Sequence, residues 1–225
     1  MLTRRSLMLA GLAAPAAAMG ARAAFALTPQ QEVLDKARIS FEKLITSVEF
    51  GELPGYMKRS KAVLIFPELY KGGFVLGAEG GTGVLSARGV QGWSQPAFYD
   101  LIAGSVGLQI GGQVSEVVVT IMSDKALTAV LADQFKFGGD MSIAVGPIGK
   151  GIGADTTTNF QADAYTFAKT AGLFGGVSFE GAGIIKKDAW NHAYYGQGAT
   201  PQGIVVENKF RNPNTQALLN SLQPY

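Results

Sequence analysis

Cysteine is absent from all 225 positions. Its absence excludes disulfide frameworks, thiolate zinc sites, iron–sulfur clusters and thiol nucleophiles. Histidine occurs once, as His192, so no multi-histidine metal site can form. Charged residues make up only 16% of the chain and proline only 9 positions, while 47% is hydrophobic. A composition of that kind supports a full core and argues against a disordered, proline-rich chain. The G-x-S-x-G elbow of many hydrolases is missing. The phosphate-loop spacing is missing too; Gly146-Pro147-Ile148-Gly149-Lys150-Gly151 bears only a faint likeness to it and reads as a turn. One enzyme reading is left, a triad of His192 with Ser178 or Ser94, and a lone histidine is expected to be structural instead. Most metal and nucleophile chemistry is therefore excluded before any longer motif is read, and neither a cofactor nor a metal is expected.

Charge of either sign is also nearly missing once the N-terminus is set aside. Residues 1–26 carry Arg4, Arg5 and Arg22 and no acid. Removing those three from the 19 basic residues leaves 16 against 17 acidic ones, so the formal +2 becomes about −1. Nucleic-acid binding gains no support from such a balance. The segment itself reads as a signal peptide. Arg4 and Arg5 form the positive region, Leu7 to Met19 is apolar, and Ala21-Arg22-Ala23 and Ala24-Phe25-Ala26 both fit a small-residue cleavage pattern. Cleavage is expected near Ala26, giving a periplasmic product of one domain over 27–225. The apolar run is too short to span a bilayer. Thr3-Arg4-Arg5-Ser6-Leu7 resembles a twin-arginine signal, with an ordinary secretory signal as the alternative.

What is abundant is glycine: 30 residues, twelve of them between Gly72 and Gly112. Thr28-Pro29 and an acid in the first turn start a helix over about 29–49, with Val33, Ala37, Phe41, Leu44 and Val48 on one face. From Ala62 onward the chain reads as strand. Ala62 to Phe66 is expected to end at Pro67, Phe74 to Ala78 and Thr82 to Ala87 to be joined through Glu79-Gly80-Gly81, and Val106 to Ile110 to lead to Glu116 to Met122. Glycine inside strands requires a bend or a close backbone approach. Short helices are expected from Ser123-Asp124 to Leu131, over Asp188 to Tyr195 and over Asn214 to Leu222. Met141 to Val145, Ala164 to Ala168 and a late hairpin of Val177 to Glu180 with Ile184-Ile185 complete the strands. The fold class is α+β: a curved, glycine-rich antiparallel sheet, with barrel-like closure left open, an N-terminal amphipathic helix and short C-terminal helices.

An ordered set of short stretches then carries a resemblance. They are Ala62-Val63-Leu64-Ile65-Phe66-Pro67 with Lys71-Gly72-Gly73-Phe74, Gly81-Thr82-Gly83-Val84-Leu85, and Gly92-Trp93-Ser94-Gln95-Pro96-Ala97-Phe98. Val145 to Gly149, Gly172 to Gly181, Asn191 and Tyr194-Tyr195-Gly196 follow in order. Together they resemble the SYLF domain family, also called the Ysc-type actin-binding or lipid-binding SYLF domain. The resemblance implies binding: eukaryotic members bind acidic phospholipids, above all phosphoinositides, and some bind actin. It credits the lipid contact to a basic N-terminal helix. Here Lys36, Arg38 and Lys43 are outnumbered by Glu32, Asp35, Glu42 and Glu49. An exported bacterial-type protein would meet no actin, so lipid binding carries over in kind and the headgroup does not.

The expected function is thus a non-enzymatic, peripheral lipid-binding protein of the bacterial envelope, its partner an anionic phospholipid or membrane surface. The alternative is an envelope protein–protein interaction module. An outer-membrane barrel is a third reading, weakened by strands shorter than the ~10 residues such barrels need. The expected lipid-contact residues are Lys58, Arg59, Lys61 and Lys71, each cation worth about 1 kcal/mol near an anionic surface. Phe41 joins them on the helix face and Trp93 in an aromatic loop with Phe98 and Tyr99. Lys186-Lys187 is a second basic candidate. Solvated loops and core packing are the plain alternatives for all of these.

Overall fold

The computed structural model describes residues 27–73, 76–106, 111–133, 135–136, 143–145, 162–172 and 181–225. The expected signal segment 1–26 and the 177–180 half of the expected late hairpin lie outside the described residues.

Among the described residues there are five α-helices: α1 (Pro29–Ile45), α2 (Leu53–Arg59), α3 (Asp124–Leu131), α4 (Asp188–Tyr195) and α5 (Gln216–Leu222). Thr28 starts α1 as read, its side chain accepting the Gln31 N–H at 3.2 Å, with Pro29 at the first position. The helix ends at Ile45, short of the expected 49. Ser47 turns extended and caps a separate 3-10 turn, Val48–Phe50, through the Glu49 N–H. α3 and α4 occupy the expected spans, and a 3-10 turn at Pro213–Thr215 leads into α5. α2 is an addition: Pro54 in its first turn and buried Leu53 and Met57 make a short helix where a connection was expected.

The strands are β1 (Ala62–Gly73), β2 (Leu76–Gly89), β3 (Gly92–Trp93), β4 (Ala97–Val106), β5 (Gly111–Ile121), β6 (Ile143–Val145), β7 (Ala164–Gly172) and β8 (Gly183–Lys186). They order as β6-β7-β5-β1-β2-β4-β8, with β3 paired to β2 alone. The pairs are antiparallel except β6 with β7, which run parallel. Among the described residues β6 and β8 do not pair with each other, so the sheet is open and not a closed barrel. Ala97 to Tyr99 belong to β4, not to an aromatic loop.

Pro67 does not end β1. The registers of β1 with both neighbours shift around it, between Ile65 and Tyr70 on one side and between Phe66 and Leu69 on the other. A bulge is where a strand tolerates a residue without an N–H. The glycines of β2 make the matching accommodation. A Cβ on Gly81 would collide with the Glu68 carbonyl, and one on Gly83 with the Ile65 carbonyl. The bulged strand therefore lies directly on glycine backbone, and β2 runs unbroken through Glu79-Gly80-Gly81.

Both faces of the sheet are covered. Leu64, Phe66, Leu85, Tyr99, Leu101, Val117, Val119 and Ile121 point to one face, with Ala126 and Val130 of α3 and Ile204 over them. The alternate residues Val63, Ile65, Val84, Phe98, Val118 and Phe167 point to the other, under Leu34, Phe41 and Leu44 of α1, Met57 of α2 and Leu218 of α5. Two-sided burial explains why these strands read as continuous apolar runs and not as alternation.

Polar contacts lock the ends. Asn191 of α4 is fully buried against Phe98 of β4. Lys187 donates to both Asp100 oxygens at 2.7 and 2.8 Å and to Thr82 at 2.9 Å. Tyr194 donates to Gln31 at 2.7 Å, tying α4 to α1, and burial pushes its hydroxyl up to about 12. The outer edge of β8 is capped: Ile184 N–H donates to the Phe135 carbonyl at 3.2 Å, and Lys186 N–H to Asp133 at 2.7 Å.

Candidate functional site

The C-terminal end of α2 is where exposed cations gather. Lys58 and Arg59 fill its last turn, where the helix dipole favours positive charge. The Ser60 hydroxyl donates to the Met57 carbonyl at 2.8 Å and closes the helix. Lys61 then enters the sheet, its N–H on the Ile121 carbonyl at 2.7 Å. The three side chains are exposed. Lys61 lies 3.3 Å from Asp124, but both groups are at least half exposed, so the pair contributes at most ~1 kcal/mol. Neither Lys58 nor Arg59 has an acidic partner among the described residues.

Beside this turn lies a groove of about 240 Å³, lined by Tyr56, Arg59, Met122, Ser123, Ala162, Asp163 and Tyr165. The Tyr56 and Tyr165 rings pack at 4.1 Å, and the Arg59 guanidinium sits 5.1 Å from the Tyr56 ring centre. Burial first, and then the neighbouring Tyr165 and Glu52, raise the Tyr56 hydroxyl above its ordinary value. Asp163 accepts the Ser123 hydroxyl at 2.6 Å. Sequence reasoning missed Tyr56, Asp163 and Tyr165 because Tyr56 lies more than a hundred positions before the other two. Only the pairing of β5 with β7 and the docking of α2 bring them together.

The remaining expected contact residues lie elsewhere. Lys71 is ten positions beyond Lys61, roughly 30 Å along an extended strand. It points into the fold, 3.9 Å from Glu79, with the two side chains only 10% and 2% exposed. Burial raises the Glu79 carboxyl, with Lys71 pulling the other way. Phe41 has no exposed surface and meets Tyr225 edge-on at 5.9 Å. Trp93 is buried, with the Arg88 guanidinium 4.4 Å above its ring. Lys186 and Lys187 are paired with Asp133 and Asp100 at 3.1 and 2.7 Å.

The apolar face of α1 is thus turned inward. Lifting it into a bilayer would leave the sheet residues beneath it, Val63, Ile65, Val84 and Val118, open to water. That costs on the order of 6–12 kcal/mol, comparable with the ~5–15 kcal/mol that holds a domain folded. Ion pairs to the sheet fasten it further: Lys36, paired with Glu32 of the same helix at 2.8 Å, also reaches Glu68 at 2.9 Å, and Lys43 reaches Glu116 at 2.6 Å. Those carboxylates, Glu32 first, hold the Lys36 ammonium well above its ordinary range. Its outward apolar surface is reduced to Ile39, at 53% exposure.

His192 lies half-buried in the last turn of α4. Among the described residues no three acidic or histidine side chains cluster as metal ligands, and no helix is long and apolar enough to cross a membrane.

Known proteins share this architecture's sequence. The family model described as "Las17-binding protein actin regulator" (Ysc84) matches residues 102–225. SH3 domain-containing YSC84-like protein 1 of Xenopus laevis is 36% identical over 129 residues, covering 56% of this chain and 38% of the relative. Its Homo sapiens counterpart is 29% identical over 175 residues, 77% of this chain and 51% of the relative. Protein YSC84 of Saccharomyces cerevisiae is 29% identical over 174 residues, 76% of this chain and 37% of the relative. The chain therefore spans about half, or less, of the length of these curated relatives. With more than half of its residues inside the family model, the chain belongs to the Ysc84 (SYLF) family.

Proposed function

We propose that the chain is a non-enzymatic, peripheral lipid-binding protein of a bacterial envelope, exported by residues 1–26 and touching anionic phospholipid with the α2 end. The observation that carries the reading is the exposed turn of Lys58, Arg59 and Lys61, two of whose three cations have no acidic partner among the described residues. At about 1 kcal/mol each they supply ~3 kcal/mol, roughly a hundredfold in affinity. Phe41, Trp93 and Lys71 are not part of this contact as the chain is folded. Flotation with phosphatidylglycerol vesicles tests it. Binding is expected to be weak, to fall with salt, and to drop when Lys58, Arg59 and Lys61 are replaced together by Gln. Equal flotation with anionic and neutral vesicles, unmoved by that triple change, would overturn it.

A protein partner is the second reading. The name of one yeast relative, LAS seventeen-binding protein 3, describes binding to another protein. Three large apolar side chains on the α1 side of the sheet, Tyr70, Ile102 and Ile185, are 56%, 55% and 45% exposed and offer such a partner a surface.

A further inference from the structure

The end of the sheet that carries the α2 turn also carries a hairpin tip. Ala62 of β1 pairs with Ala87 of β2, which sets Lys61 beside Arg88, and the Arg88 N–H donates to the Lys61 carbonyl at 2.7 Å. Gly89 then pairs with Gly92 of β3, leaving Val90 and Gln91 as the tip. Val90 stands about 7 Å beyond the level of Arg88 and Lys61, at the rise of an extended chain. Gly92 takes the positive φ, 105°, so Val90 and Gln91 do not have to. Tips of this length ordinarily carry Asn, Asp or Gly. Here a β-branched apolar side chain stands fully exposed. A single exposed valine is ordinary on a protein surface. Val90 differs in its company, for Lys58, Arg59 and Lys61 are exposed at the same end. The Arg88 guanidinium donates to the Met57 and Ser60 carbonyls at 2.7 and 3.1 Å and so ties the strand that bears the tip to the turn that bears the cations. With the apolar face of α1 closed against the sheet, Val90 is apolar surface that these cations can carry to a bilayer.

We propose that the β2–β3 tip is a membrane wedge: Val90 enters the interface of an anionic bilayer while Lys58, Arg59 and Lys61 rest on the lipid phosphates beside it. The inference rests on the reading of the α2 end as the lipid contact and adds the apolar half of that contact. The two halves have different signatures. Attraction between cations and phosphates is screened by salt. Transfer of a valine side chain out of water is not screened, and it contributes roughly tenfold in affinity.

The test is flotation of the purified chain with phosphatidylglycerol vesicles. Val90→Asn suits the turn and leaves the charge of the tip unchanged, so urea unfolding is expected to stay the same. Vesicle affinity is expected to fall roughly tenfold, by the same factor at low and at high salt. Val90→Leu is expected to raise affinity about fourfold, the effect of one further methylene. The chain has no cysteine, so Val90→Cys carries an environment-sensitive dye at the tip alone. That dye is expected to brighten and shift to the blue on vesicles. The same dye on Ala171→Cys, an exposed position at the far end of β7, is expected to stay as in water. Either Val90→Asn floating as well as the unaltered chain, or a dye at position 90 that stays in water, would overturn the wedge. In that case a triple Gln change at 58, 59 and 61 that still lowers flotation leaves the cationic contact standing without it. No flotation of the unaltered chain would overturn both.

Discussion

The Asn191 side chain pairs with the backbone of Phe98 as a neighbouring strand would, accepting its N–H at 2.8 Å and donating to its carbonyl at 3.2 Å. β8 stops short of this point, and the carboxamide continues the ladder in its place. The Lys187 N–H also reaches the Phe98 carbonyl, at 3.0 Å. The Phe98 N–H has no such second partner.

Asn191→Ala is therefore expected to leave one buried N–H unsatisfied. The cost is about 2–3 kcal/mol, with vesicle binding unaffected in the fraction that stays folded. Urea unfolding followed by circular dichroism measures it. A loss well under 1 kcal/mol would mean that water replaces the carboxamide.

Arg88 joins three segments. Its guanidinium donates to the main-chain oxygens of Met57, Ser60 and Tyr225 at 2.7, 3.1 and 2.6 Å while lying over Trp93. A lysine keeps the charge but not the planar fork. Arg88→Lys is expected to lower stability by roughly 2 kcal/mol, or about 4–8 °C in Tm for a chain of this size. An unchanged melting curve would show that the fork is dispensable.

The raised carboxyl of Glu79 fixes the sign of a pH effect. Between the ordinary glutamate value and the raised one, the folded chain keeps a proton that the unfolded chain has released. Stability contributed at this position therefore falls as pH climbs through that interval, and is flat on either side. Glu79→Gln is expected to remove the slope. Unfolding free energies of both proteins across the acid range give the difference; a wild-type advantage growing with pH would mean that Lys71 outweighs burial.

The export reading makes its own prediction. Intact mass of protein from the envelope fraction is expected to begin near Leu27, and replacing Arg4 and Arg5 together by Lys to block export if the route is twin-arginine. Envelope protein that retains Met1 would refute cleavage.

Local signals in the sequence were strong where one side chain decides the backbone. Thr28 and Pro29 mark the start of α1, and Ser123, whose hydroxyl accepts the Ala126 N–H at 3.1 Å, marks α3. Pro67 misled because its meaning depends on distant residues. A proline ends a strand unless a bulge receives it, and here the room for the bulge is made by Gly81 and Gly83 on another strand. The candidate site divides the same way. Lys58, Arg59 and Lys61 are adjacent in sequence and stay together in space, whereas Lys71 alternates to the interior and Phe41 lies on the helix stripe that closes the core. The groove was illegible, since its walls come from α2, the end of β5 and the start of β7.

The cap on β8 bears on how any partner protein can engage this fold. Asp133, held at φ 56°, and Phe135 take the outward N–H groups of Lys186 and Ile184. Those donors are the ones a guest peptide would need to extend the sheet. Strand addition along that edge is closed, which also guards it against edge-to-edge aggregation. A partner approaching from the β8 side must be recognised through side chains such as Ile102 and Ile185, and truncating them, not altering the backbone edge, is the way to abolish that contact.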